Sequence, residues 1–389
     1  MHKSVEYIHA HAPTLREQHV PSDELGLLTE PARDILRDSG GVRLLQAKSH
    51  GGMESVPTDF FEWVRAVGRY NASAGWIAGV VGVHPFEVAV VDHKLQDEIY
   101  GADPDTWVAS PYAPNGRAVP EGDGYRFSGQ WQYSTGTDHC DWVVLGGLVT
   151  DANGELPDQP EMCHFFLPRG DYEIVDDSWH VMGLSGTGSK DIRIQDAWVP
   201  AYRTVQHTSL ADGEYGHRRA ETPVFQIPWG CMFSAAIASA TFGIAQGALE
   251  EYREYMQTRI SAMGVVGKTD PFQQAALGEV EADLAAGITH VDTMMMQWLD
   301  QVTKGDAIDH GQRLEFRRNQ VRAVQRVLFG VDKLFASAGS AAVWTTRPLE
   351  RNWRDLRTAG THVCNMADGI YGAWANHEFD TGIFSNVMY

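Results

Sequence analysis

Cysteine is scarce: Cys140, Cys163, Cys231 and Cys364 are the four in 389 residues, and no two stand in a C-x-x-C spacing. That pattern indicates neither a disulfide framework nor a zinc site, so no metal is expected. Basic residues are also few, 31 Lys and Arg against 51 Asp and Glu, for a net charge of −20. With no basic patch, nucleic acid and anionic membrane surfaces are poor partners, and the acidity serves solubility. Long apolar runs are missing too. The richest stretches, 74–91 and 231–249, are interrupted by Gly, Ser and His before reaching membrane-spanning length. The first 21 residues are polar with several His and no apolar core, unlike a signal or transit peptide. Together these absences lead us to expect a soluble, cytoplasmic protein.

What is present divides the chain into three. Residues 1–106 carry helical periodicity. A helix is expected over 24–38, stopping at Gly40-Gly41, and another over 60–71 with Thr58 as N-cap. Residues 75–91 are small and apolar, as in a helix buried on most sides, with His84 placed before Pro85. From Trp107 the period changes to two. Strands are expected at 107–109, 124–129, 130–134, 142–149, 164–167, 172–175 and 191–199, which suggests a β-barrel or sandwich. A loop rich in Gly, His and charge covers 207–228. Helices return at 231–256, 271–302, 314–338 and 361–375, the inventory of a four-helix bundle. The expected class is α+β, with a helical domain (1–106), a β domain (107–215) and a bundle (216–389).

Several short motifs could carry chemistry. Residues 262–269, AMGVVGKT, miss the phosphate loop G-x-x-x-x-G-K-[ST] only at the first position. A phosphate loop needs a strand before it and a helix after it; here a long helix precedes and Asp270-Pro271 follows, so nucleotide hydrolysis is rejected. Residues 179–192, WHVMGLSGTGSKDI, read as a strand end, a Gly/Ser/Thr loop and a new strand. Such a loop exposes amides and short hydroxyls and suits an anion or a flat polar ring. Trp131 to Gly136 ends a strand with Ser134 and Thr135. Arg259 follows a helix, Phe272 and Gln274 open the next, and Arg354-Asp355 is followed by His362. Each has a plainer reading as a turn cap, a dipole partner or a structural ion pair. Lys190 beside Asp191 could reach a phosphate, though an exposed lysine is the simpler reading, and His139 reads as structural.

Taken together, these residues resemble the acyl-CoA dehydrogenase fold over nearly the whole chain. Trp131 to Gly136 is similar to the family's strand end against the flavin ring. Met182 to Asp191 is similar to its M-G-x-x-G-x-x-x-(K/R)-(D/E) stretch. Arg259, Phe272 and Gln274 are similar to its phosphate-holding residues, which act partly across a subunit interface. One departure is decisive. Many dehydrogenases of the family place a catalytic glutamate about nine residues after the R-D arginine; here that position is Val363, beside His362, and no acid follows until Asp368. Without that base α,β-dehydrogenation loses its proton acceptor.

The chain looks instead like the oxygenase components of two-component flavin-dependent aromatic hydroxylases. The features that carry this are the G-x-H ending at His84, S-T-G-x-D-H-C-D-W at 134–142 and G-T-G-S-K-D at 186–191. The resemblance implies reduced flavin (FADH2 or FMNH2) from a separate NAD(P)H-dependent flavin reductase, O2 activated as a C4a-hydroperoxide, and a homotetramer. It implies a small aromatic substrate, phenolic or otherwise electron-rich, polycyclic compounds included. His84 is expected at the substrate hydroxyl, where an ordinary pKa near 6.5 suits a base. His362 is expected on the flavin side and Ser134 or Thr135 near the flavin N5 edge. Trp131, Gly136, Thr187, Ser189, Arg259, Phe272 and Gln274 complete the expected cofactor set. The rival readings are oxygenation of an indole, sulfur or amine, a dehydrogenase with a displaced base, and a non-enzymatic assembly module.

Overall fold

A computed structural model describes residues 1–383. Seven helices come first: α1 (Lys3–Ala10), α2 (Ala12–Glu17), α3 (His19–Leu25), α4 (Glu30–Asp38), α5 (Pro57–Tyr70), α6 (Ala72–Val88) and α7 (His93–Tyr100). The helix expected over 24–38 is two, because Gly26 takes a left-handed φ of 71° and closes α3. Thr58 is not a cap either. Helix α5 begins one residue earlier at Pro57, whose missing N–H costs nothing there, and the Thr58 hydroxyl instead lies 3.5 Å from Met296 Sδ. Helix α6 starts where the Asn71 side chain accepts from the Ala74 amide, and all seventeen of its residues are buried.

Eight strands follow: β1 (Val108–Ala109), β2 (Gly116–Glu121), β3 (Gly124–Ser134), β4 (Trp142–Val149), β5 (Met162–Pro168), β6 (Glu173–Val175), β7 (Lys190–Pro200) and β8 (Thr204–Gln206). They form one sheet in the order β6-β7-β3-β2-β4-β5-β8, with β1 joined in parallel to β4. The runs at 124–129 and 130–134 are a single strand, and β2 and β8 carry no alternation strong enough to be predicted. Residues 179–184 belong to no strand. The sheet curls tightly. Strands β3 and β5 lie three spacings apart, about 14 Å in a flat sheet, yet Phe127 and Phe165 stack with ring centroids 4.2 Å apart. Gly116 makes room for them, since a Cβ there would fall 2.4 Å from the Phe127 ring.

After a short helix α8 (His207–Ala211) come α9 (Trp229–Thr258), α10 (Pro271–Thr303), α11 (His310–Ala338), α12 (Pro348–Ala359) and α13 (Asp368–Glu378). Helix α9 is the axis of the molecule and packs on α5, α6, α11 and α12. It is long and apolar enough to cross a membrane, but 94% of its most apolar window is buried inside the protein. Gly243 brings it flush against the α5 backbone, where a Cβ would meet the Arg65 carbonyl oxygen at 2.6 Å. The helix expected over 361–375 is broken: α12 ends at Ala359, and a tight turn at Val363–Asn365 separates it from α13. That break places His362 outside any α-helix.

Candidate functional site

Ile77, Val81 and His84 are spaced four and three residues apart and therefore share one face of α6. Gly136, at φ 69°, sits over the first two, with its Cβ position 3.4–3.5 Å from their side chains. The chain reaches this point through a register shift between Trp131 and Ser134 and a left-handed Tyr133 at φ 67°. Such an irregularity re-aims the side chains that follow it. The Gly136 amide donates to the Thr187 carbonyl at 2.9 Å, which docks the 185–189 loop on the turn.

The hydroxyls here form a directed chain. Thr187 donates to the Leu184 carbonyl (2.7 Å), so it accepts from Ser189 (2.8 Å), which in turn accepts from Thr135 (2.9 Å). Each hydroxyl has one proton, and all three are spent internally. Ser134 is different. Its Oγ is buried and without a hydrogen-bond partner, so of the Ser134/Thr135 pair it is Ser134 that has a proton to donate to a ligand, while Thr135 can only accept.

His84 and His362 lie on one line of rings. His84 meets Tyr112 at 5.9 Å, Tyr112 meets Phe233 at 5.4 Å, Phe233 meets His362 at 6.1 Å and His362 meets Trp76 at 5.5 Å. The two imidazoles are fixed in opposite senses. His84 Nδ1 bonds the Val108 carbonyl, which can only accept, so the proton is on Nδ1 and Nε2 carries a lone pair; that Nε2 is buried and unpartnered. His362 Nδ1 accepts from the Cys364 amide at 3.2 Å, so its neutral ring holds the proton on Nε2. Burial depresses both to about 4, opposed at His84 by Glu87 and reinforced at His362 by Arg317. Both are neutral at pH 7, one an acceptor and the other a donor. The ordinary pKa expected for His84 is thereby corrected.

Other expectations are revised. Within the 184–190 loop the Gly186 and Leu184 amides go to Asp23 (3.0 Å) and Asp355 (2.6 Å), and those of Thr187, Gly188 and Lys190 to loop carbonyls. Those five amides, next to two carboxylates, are not free to cradle an anion. The loop is instead a rigid knot held between α3 and α12, with His19 bonded to Asp355 at 3.1 Å and Arg354 bonded to the Met182 carbonyl. Lys190 is 9% exposed rather than free, paired with Asp138 (2.7 Å) and Asp176 (3.2 Å). Burial opposes its charge, but the two carboxylates outweigh this and raise its pKa. Trp131 is fully buried, its indole N–H held by the Ala113 and Gly146 carbonyls inside the curled sheet. His139 is partly buried, and its pKa falls to about 4 through burial.

Arg259, Phe272 and Gln274 lie at the far end of α9. Twenty-six residues of helix separate Arg259 from Phe233, about 39 Å at 1.5 Å per residue. Phe272 is 85% exposed, and Gln274 donates to the Lys268 carbonyl at 3.0 Å. One chain does not bring these three to the ring line. Two surface clefts of about 460 and 250 Å³ lie on the bundle and contain none of its residues.

The family model described as acyl-CoA dehydrogenase, C-terminal domain, matches residues 235–366. A pigment production hydroxylase of Rhodococcus erythropolis is 41% identical over 95% of this chain and 94% of its own. The oxygenase subunit HsaA of a flavin-dependent monooxygenase from Rhodococcus jostii is 32% identical over 97% and 98%. The crystal structure of 3-HSA hydroxylase from Rhodococcus sp. RHA1 superposes with a TM-score of 0.92, 32% identity and coverage of 99% and 98%. The chain belongs to the flavin-dependent monooxygenases of the acyl-CoA dehydrogenase fold.

As a member of that family, the oxygenase component of two-component aromatic hydroxylases, this monooxygenase uses reduced flavin and O2. The residues fit that group: Ser134 offers an unspent buried hydroxyl beside the turn that Gly136 packs on α6. The base that a dehydrogenase would need is absent from its usual place, because Val363 is 61% exposed and apolar and Asp368 is exposed on α13. Glu87 is the carboxylate closest in role, but it is wholly buried with one oxygen held by Tyr112 and the other by His164. Trp76, Tyr112 and Phe233 were not singled out by the sequence, since aromatic residues in apolar segments read as core. Glu87 did leave a signal, as the one charged side chain in the seventeen residues of α6.

Proposed function

We propose that this monooxygenase hydroxylates a phenol, with the aromatic ring held among Trp76, Tyr112 and Phe233 and its O–H donated to His84 Nε2. The observation that carries this reading is the opposed protonation of His84 and His362 on one line of rings, with Tyr112 and Phe233 between them. An acceptor at one end suits a phenolic O–H; a donor at the other suits an oxygen atom held nearby. Hydrogen bonding by His84 draws electron density onto the ring, and the flanking aromatics exclude water. The bound reduced flavin supplies the activation of O2. Ser134 is assigned to its N5 edge and His362 Nε2–H to the oxygen-bearing side. Thr135, Thr187 and Ser189 fix the turn that aims Ser134.

In this reading Arg259, Phe272 and Gln274 serve the cofactor of a neighbouring copy in a homotetramer, supported by their distance from the rings and by exposed Ile260, Met263 and Phe272. A separate NAD(P)H-dependent reductase supplies FADH2 or FMNH2, which places the enzyme in the cytoplasm. The test is to mix protein and reduced flavin with O2 in a stopped-flow instrument, with a panel of phenols and indoles, and to analyse products. Hydroxylated phenol with peroxide suppressed is the expected result. Oxidation of indole alone, or acyl-CoA-dependent bleaching of bound flavin, would overturn it. Light scattering should give a tetramer.

A further inference from the structure

Behind Tyr112 lies a second set of ionisable groups that the reaction above does not use. The Tyr112 hydroxyl contacts Glu87 Oε2 at 2.6 Å, Glu87 Oε1 contacts His164 Nδ1 at 2.6 Å, and His164 Nε2 contacts His207 Nδ1 at 2.9 Å. Glu87 and His164 are both 0% exposed, whereas His207 is only partly buried, at the start of α8 where β8 ends. On the inner side Ser110 hydrogen bonds the Tyr112 oxygen. The other ionisable groups facing this chain are His84 from α6, Cys364 from the turn before α13 and Asp212 just past α8.

Complete burial makes a net charge at Glu87 and His164 expensive, so the pair is held together by one shared proton between Oε1 and Nδ1. Whichever atom holds it, His164 then donates through Nε2 to His207 Nδ1, and His207 keeps an N–H on the outer nitrogen. Every member is therefore both donor and acceptor, and all contacts are at hydrogen-bond length. We propose that Tyr112, Glu87, His164 and His207 form a proton conduit between the line of rings at Tyr112 and solvent, with His207 as its outer gate.

One passage balances without leaving charge behind. A proton from an oxygen donor among the rings bonds to the Tyr112 oxygen, and the proton of Tyr112 moves to Glu87 Oε2. The proton of Oε1 moves to His164 Nδ1, that of His164 Nε2 to His207 Nδ1, and that of His207 Nε2 to water. The reverse passage brings a proton in and resets the chain. A reaction site among these rings, kept from water, needs such a route, because reaction of reduced flavin with O2 takes up a proton and ionisation of a phenol releases one. The conduit rests on the reading that the reaction site lies among these rings, but not on the identity of the substrate.

The test therefore uses no aromatic substrate. Protein loaded with reduced FMN is mixed with O2 in stopped flow, and O2 consumption is followed in wild type and in His207→Ala. The variant should slow by roughly tenfold or more, with a larger solvent isotope effect, and imidazole in the buffer should restore the rate. A packing role would not be rescued by imidazole. A second readout uses flavin-free protein: the rate of hydrogen–deuterium exchange at histidine C2 at one fixed pH, read by mass spectrometry, should change at His164 in Glu87→Gln and stay the same at His290. An unchanged rate in His207→Ala, a loss that imidazole leaves in place, or an unchanged exchange rate at His164 would each overturn the conduit. If the conduit passes and no phenol is hydroxylated, it is the substrate assignment that fails.

Discussion

Replacing His84 by Ala tests how the site handles a phenol, and the structure sets the size of the effect. A phenolic hydroxyl titrates near 10 and His84 near 4. A gap of about six pH units, roughly 8 kcal/mol, opposes full proton transfer between them. His84 therefore acts as a hydrogen-bond acceptor and not as a base that keeps the proton. Removing it costs one hydrogen bond and leaves the substrate hydroxyl buried without a partner, together about 1–3 kcal/mol. That corresponds to a roughly 5- to 150-fold fall in hydroxylation. O2 consumption should persist, with the missing product appearing as peroxide, because Ser134 and His362 are untouched. The assay is paired measurement of hydroxylated phenol and peroxide per O2 consumed, from pH 8 to 5. Wild-type hydroxylation should show no inflection attributable to His84 in that range, since the ring is already neutral. A fall beyond about 1000-fold, with a wild-type profile centred near 6.5, would mean that His84 is a true general base. Equal loss of hydroxylation and O2 consumption would remove it from the substrate side altogether.

Ser134→Ala deletes a buried hydroxyl that has no partner, so thermal stability should hold or rise while anaerobic titration shows reduced flavin binding roughly 2- to 12-fold more weakly, the worth of one hydrogen bond; unchanged affinity would detach Ser134 from the cofactor. Asp355→Ala strands both the Leu184 amide and His19 in a buried site. A loss of about 3 kcal/mol, spread over the unfolding entropy of 389 residues, lowers Tm by roughly 4 °C; an unmoved Tm would show that the loop needs no such tie. Acid stability should be governed by histidines. Burial lowers His84, His139, His207 and His362 to about 4 in the folded chain, against about 6.5 unfolded. Their contribution is complete above about pH 6.5 and is lost as the pH falls towards 4, because the unfolded chain takes up protons that the folded chain refuses. Melting temperatures should therefore begin to drop just below pH 6.5, above the carboxylate range; a flat profile down to pH 5 would contradict this.

The chain itself determined much of the architecture through local signals. The change of period at Trp107, the exact run of β4 and the three- and four-residue steps of α10 and α11 are properties of neighbouring residues, and neighbours are what a sequence displays. So is the order of motifs that marks the oxygenase branch, including Val363 where an acid would stand. Strand β2 and the break before α13 escaped, since a six-residue strand ending in Pro120-Glu121 and a turn between two short helices carry weak periodicity. What tertiary structure alone decided is the state of each functional group. The Val108 carbonyl, 24 residues from His84, selects the tautomer that makes it an acceptor. Asp23 and Asp355, more than 160 residues away on either side, take the Gly186 and Leu184 amides of the glycine-rich loop. Glu87 becomes part of a chain with His164 and His207 only when α6, β5 and α8 meet. Hydrogen-bond partners and desolvation are set by atoms distant along the chain, which is why residue types named the chemistry and the fold assigned the protons.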